Sequence, residues 1–158
     1  MIDANNGRIA VSGDCIVSGS LKKSVFMSSS LFHSTKPLTI NPPFASYVLP
    51  EQSIDGRAYS VSLWFREESL SHVQLCDTGD EFGSSWEDWS EEKEKKRKQH
   101  HDRLLVSLLG RSREYGFGWG RIESLFDLKA ASSYIVISYN QPIQSAQTTT
   151  GSSTPDRV

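Results

Sequence analysis

One stretch of this chain has a clear start, a clear period and a clear stop: Gly83 to Gly110, GSSWEDWSEEKEKKRKQHHDRLLVSLLG. Ser84-x-x-Glu87 and Asp88-x-x-Glu91 both fit the capping-box spacing, in which a short polar residue and a glutamate satisfy each other's orphan N–H groups. Glu91/Lys95, Glu92/Lys96 and Glu94/Lys98 are i, i+4 pairs with the acid first, each stabilising by about 0.2–0.5 kcal/mol. Acids lead and bases follow, as the helix dipole favours, and Gly110 supplies a stop. The stretch predicts one long helix starting at one of the two boxes. Leu104, Leu105, Leu108 and Leu109 dock it on a core, and its self-paired middle faces water.

Such a helix must lay its leucines on something, and both flanks read as strands. Arg57–Phe65 alternates, with Tyr59, Val61, Leu63 and Phe65 on one face, the period of a strand. The polar connection Arg66–Ser69 joins it to Leu70–Cys76 as a β-hairpin. After the helix, Arg121–Phe126 and Ser133–Tyr139 form a closing hairpin, the second strand apolar on both sides and so central and covered. Earlier, Arg8–Val11 and Cys15–Val17 suggest a first hairpin, and Leu38–Ile40 and Ala45–Leu49 short strands. Residues 21–28 fit a short helix capped by Ser20 or, nearly as well, a strand. Pro50–Gly56 reads as a polar turn, Asp77–Gly83 as a loop, and Arg111–Gly120 as a glycine- and aromatic-rich loop. The fold class is therefore α+β: an antiparallel β-sheet built of hairpins with one long helix packed on one face.

At 158 residues the chain fits one domain, 1–139, with a Ser/Thr-rich polar tail, 140–158, too poor in apolar residues to pack. The N-terminus has no basic region followed by an apolar run, and no apolar window approaches the roughly 18–20 residues that span a bilayer. The expected location is cytoplasmic, with no membrane partner. The formal net charge of −2 argues against a general nucleic-acid binder. Cys15 and Cys76 read as two separate thiols rather than a disulfide framework.

Several chemistries meet ordinary explanations. His100 and His101 are adjacent, so on a helix they point about 100° apart and do not face one ion. His101-Asp102 lacks further ligands at metal-site spacing from His33 or His72. A Cys–His nucleophile built from Cys15 or Cys76 with His33 or His72 has no local signature. Gly116-x-Gly118-x-Gly120 precedes a strand rather than a helix, so it reads as a turn folding its aromatics onto the sheet and not as a phosphate loop. The basic run Lys93–Lys98 with Arg103 is balanced by Glu91, Glu92 and Glu94, which suits a solvated helix face.

The acidic segment is more suggestive. Asp77, Asp80, Glu81, Glu87, Asp88, Glu91 and Glu92 follow one another with no lysine or arginine between them, and Trp86 and Trp89 sit among them, one turn apart at the helix start. Tryptophan anchors interfaces, and an acidic surface steers a basic partner. The ordinary reading is that the acids complement the helix N-terminus while both tryptophans pack inward.

Trp86, Trp89, Ser90, Glu91, Glu92, Glu94, Lys98, His101, Asp102 and Leu104, followed by Trp119, Gly120, Ile122, Ser124, Phe126 and Asp127, form a pattern that resembles a family of small bacterial proteins. The hairpin SVSLWFREESLSHVQL looks like a unit common in small α+β immunity proteins of bacterial toxin systems. The resemblance implies a cytoplasmic immunity protein that binds a cognate toxin domain and occludes it. Its acidic, tryptophan-anchored patch would cover a basic active site, such as that of a nuclease, with no turnover, cofactor or metal. Two other classes fit the same chain. One is a small hydrolase with a His/Asp or Cys/His site, and the other an adaptor subunit of a secretion machine.

Overall fold

The computed structural model describes residues 2–11, 14–83, 85–112 and 114–141. Among them are two α-helices, α1 (Lys23–Met27) and α2 (Glu91–Leu109). There are eight strands: β1 (Lys36–Asn41), β2 (Phe44–Val48), β3 (Gln52–Ile54), β4 (Arg57–Arg66), β5 (Ser69–Asp77), β6 (Tyr115–Phe117), β7 (Gly120–Asp127) and β8 (Ser132–Tyr139). They make one antiparallel sheet in the order β1-β2-β4-β5-β8-β7-β6, with β3 paired to β4 beside that path. The fold is α+β, with the long helix packed on the sheet.

The period-2 patterns set the core face. Tyr59, Val61, Leu63 and Phe65 of β4 lie opposite Asp77, Leu75, Val73 and Leu70 of β5. Val73 and Leu75 continue onto Ile137 and Ile135 of β8, and these onto Ile122 and Ser124 of β7. Ser71 is an extra residue in the β4–β5 ladder, and this register shift turns Leu70 inward. α2 covers the β5, β8 and β7 end of this face, burying Leu104 and Leu105, with Leu108 and Leu109 partly buried.

The N-terminal segment covers the other end of the same face. Phe26 is fully buried and stacks on Phe65 at 5.6 Å, with Tyr47 and Phe32 each 5.4 Å away. The stretch left open between helix and strand is α1. Its N-terminus is closed not by Ser20 but by the β4–β5 turn: Glu68 accepts from Lys23 N–H through its carbonyl and from Ser24 N–H through its carboxylate. The first chain segments pair through single bridges, Ile9 to Val17 and Ile2 to Ile9. They are held by Tyr139, whose hydroxyl donates to Gly7 O at 2.8 Å, and by Trp119, whose indole donates to Ala4 O at 2.9 Å.

Some expectations shift. The turn assigned to Pro50–Gly56 contains β3, and the loop assigned to Arg111–Gly120 contains β6; each has only three residues, too few to display a period. The turn after β6 does fold its aromatics inward, Phe117 stacking on Trp119 at 5.0 Å. α2 begins at Glu91, later than a cap at either Ser84 or Asp88 would start it, with Ser90 as its cap: Ser90 Oγ accepts from Lys93 N–H. The anticipated Glu94/Lys98 pair is replaced. Glu94 turns inward to a buried Arg97, and Lys98 pairs with Asp102. The tail lies beyond residue 141, outside the described residues, but its first two residues are tied down. Asn140 bonds to Trp119 O and Gly118 O, and Gln141 to Leu70 O.

Candidate protein-binding surface

Between β5 and α2 the chain is pinned from below. Asp77 is fully buried; its carboxylate accepts from Arg57 Nε at 2.7 Å and Nη2 at 3.1 Å, and from Gly79 N–H at 2.9 Å. Glu81 takes the other side of the Arg57 guanidinium, which holds the Glu81 carboxyl below its usual range. Phe82 is buried beneath two cations, Arg57 at 5.8 Å and Arg97 at 5.1 Å from its ring centre, with His100 edge-on at 5.2 Å. This corrects the reading of Asp77 as a surface acid. It is an internal brace whose cation comes from a different strand.

Beyond Phe82 the chain surfaces. Trp86–Asp88 is a single 3-10 turn, and Trp89 lies extended before the Ser90 cap. Both tryptophans therefore precede the helix rather than sit on its first turn. Trp86 is 79% exposed and Trp89 39%. Neither packs inward as the ordinary reading held. Trp89 is nonetheless fixed, since its indole N–H donates to Ala131 O at 2.7 Å in the β7–β8 turn. That turn is itself ordered by Asp127, which accepts from Lys129 N–H, Ala130 N–H and the Tyr134 hydroxyl, and whose carboxyl is held low by those backbone bonds first. The same turn presents Leu128, 76% exposed. Two segments distant in sequence are thus joined at the Trp89–Ala131 bond, and the shoulder they form exposes Trp86 and Trp89 on one segment and Leu128 on the other.

The acids around this shoulder divide. Asp80, Glu81, Glu87, Asp88, Glu91 and Glu92 are exposed. Asp88 pairs with Lys93, Glu91 with Lys95 and Glu92 with Lys96, while Asp80 and Glu87 have no ion pair among the described residues. The field of the patch is therefore weaker than the unbroken acidic run suggests, because α2 folds its lysines back toward it. Leu128 is the member that sequence reasoning missed. The Trp89–Ala131 bond and the bonds between Glu94 and Ser133 bring its turn there, and no local pattern encodes them.

The other candidate chemistries resolve into packing. His101 is fully buried, its Nε2 accepting from Asp77 N–H at 3.1 Å, whereas Asp102 points to Lys98. Burial pushes the His101 pKa down to about 4. Both cysteines are free thiols; Cys76 lies 3.5 Å from Ser133 O, and burial raises the pKa of each, the wrong direction for a nucleophile. His72 stacks on Trp64 at 5.3 Å instead of meeting a cysteine. Among the described residues no group of three or more His, Cys, Asp or Glu side chains is placed to hold a metal, and no helix is long and apolar enough to cross a membrane. Comparison with family models, with curated proteins and with solved structures found no match to this chain.

Proposed function

We propose that this chain is an immunity-type binding protein that docks on a cognate bacterial toxin domain and occludes it. The observation that carries the reading is the exposure of Trp86 beside a hydrogen-bonded junction. Trp86 stands 79% exposed on a shoulder braced by the Trp89–Ala131 bond and by the Arg57–Asp77–Glu81 network. Tryptophan is enriched among the side chains that anchor interfaces, so one left exposed next to a hydrogen-bonded junction suits an anchor. Leu128, on the joined turn, is a further exposed apolar side chain, and Asp80 and Glu87 are exposed acids without an ion pair among the described residues. A preorganised aromatic anchor with an acidic rim suits a basic protein surface, with affinity from the anchor and association rate from the charge.

The test is co-expression with a candidate toxin domain encoded next to this gene. Wild-type protein restores growth and co-purifies with the toxin. Trp86→Ala weakens the complex about thirtyfold, as expected for loss of a hot-spot tryptophan worth ~2 kcal/mol. Full growth inhibition in the presence of wild-type protein sinks the reading for that pair.

A further inference from the structure

β6 pairs with β7 only at Tyr115–Ile122, Gly116–Arg121 and Phe117–Gly120, whereas β7 runs on to Asp127 against β8. A two-residue turn, Gly118-Trp119, joins β6 to β7, so Phe117 and Gly120 exchange both of their backbone hydrogen bonds. Alternation then aims the N–H and C=O of Gly120, Ile122, Ser124 and Phe126 away from β8. Ile122 is answered by Tyr115. Ser124 and Phe126 lie past the end of β6, and among the described residues no strand pairs with them there. Their backbone groups form an open edge, the kind to which another chain adds.

A cavity of about 490 Å³ opens beside this edge, between β7 and α2. Leu105, Val106, Tyr115 and Leu125 give it apolar walls. Ser124 lines it too, and its buried Oγ has no hydrogen-bond partner. At the mouth the charges nearly cancel: Lys98 pairs with Asp102 and Arg121 with Glu123. The Glu114 carboxylate is left without an ion pair among the described residues, so the residual charge is negative. The edge is also continuous with the tryptophan shoulder, because β7 runs directly into the turn that carries Leu128 and receives Trp89.

We propose that the Ser124–Phe126 edge of β7 takes an added strand from the protein partner. That strand is an extended segment with an aliphatic side chain for the cavity, flanked by lysine or arginine for Glu114. Main-chain bonds to Ser124 and Phe126 supply register, the cavity selects the apolar residue, and Glu114 selects its basic neighbour. The inference rests on the reading of the chain as a protein-binding module and specifies how part of the partner is held.

The experiment uses a synthetic probe, acetyl-KVKLKVK-amide, titrated into the full chain while backbone amides are followed by NMR and hydrogen exchange. Saturable binding is expected, with exchange at Ser124 and Phe126 slowed about tenfold when nine-tenths of the protein is bound. Ser124→Pro removes one outward donor while sparing the β7–β8 ladder, as proline at an edge position does, and weakens binding at least tenfold. Glu114→Lys leaves the backbone intact and gives the same direction of change, so the inference stays open to refutation even if the proline variant does not fold. Three results overturn it: no saturation at millimolar peptide, binding without protection of Ser124 and Phe126, or equal affinity for wild type and Glu114→Lys. Growth protection by wild-type protein is a separate readout. If it fails while the amides are protected, the immunity reading falls and the strand-addition edge stands.

Discussion

His101 is held neutral by its position. The side chain is fully buried beside the Tyr59 ring and the β5 backbone, and its one ring bond accepts from Asp77 N–H, a role that imidazolium does not have. Desolvation dominates, lowering its pKa from 6.5 to about 4 in spite of the nearby Asp77 carboxylate. Below pH 6.5 the unfolded chain binds a proton at this residue that the folded chain refuses. Stability contributed by the neutral ring is therefore present above pH 6.5 and is lost as pH falls toward 4, by about 3 kcal/mol in all. Urea denaturation across that range should show the loss in wild type. His101→Gln, which keeps an acceptor for Asp77 N–H but does not titrate, should show a much flatter profile there. Equal slopes for the two proteins would remove His101 as the cause. Nothing in the sequence around His101-Asp102 announces this, because the burial comes from β4 and β5. The same holds for Asp77, which reads as one acid in an exposed run because Arg57, its partner, is on another strand.

The element that best shows what sequence can and cannot reveal is α2. Its existence, its stop at Gly110 and its leucine face were legible because each rests on neighbours within a turn or two. Its start was misplaced because Ser84 and Asp88 each have a glutamate three residues on, while the true cap, Ser90, has Lys93 there and so lacks the box. Ser90→Ala should cost about 1 kcal/mol in urea denaturation, as loss of an N-cap acceptor does. The internal polar seam was hidden for a different reason. Glu94 sits in a run of charges that looks wholly solvated, yet its carboxylate meets Arg97 and accepts from Ser133 N–H at 2.8 Å, and its carbonyl accepts from Ser133 Oγ at 2.7 Å. Glu94→Ala leaves a buried guanidinium without its anion and a buried N–H without its acceptor. A loss of about 3–5 kcal/mol is expected. Lys96→Ala, which removes only an exposed i, i+4 pair, should cost about 0.5 kcal/mol or less. Comparable losses for the two variants would mean that the seam contributes no more than a surface pair.

Across the whole molecule, α2 and the N-terminal segment divide one face of one sheet, and neither has a core of its own. The hairpins that build the sheet were legible from alternation in β4, β5 and β8. The sharing was not, because Phe26 and Phe32 show no period that points to the strands they meet. β4 and β5 run under both halves: Phe65 and Leu70 lie at the Phe26 end, and Tyr59 and Asp77 at the His101 end. A cavity made at one end must then be felt at the other, provided that unfolding is a single transition. Phe26→Ala removes a fully buried ring from a cluster of four aromatics and should cost about 3–5 kcal/mol. Far-UV circular dichroism follows α2, and tryptophan fluorescence reports on all four tryptophans, among them Trp119 beneath the N-terminal segment and Trp89 beside the β7–β8 turn. In urea the two signals should move together, with the Phe26→Ala midpoint lowered equally in both. If circular dichroism kept its wild-type midpoint while fluorescence shifted, the N-terminal segment would be an independently melting cover. The sheet and α2 would then be the cooperative unit, and the shoulder bearing Trp86 would survive loss of the first helix.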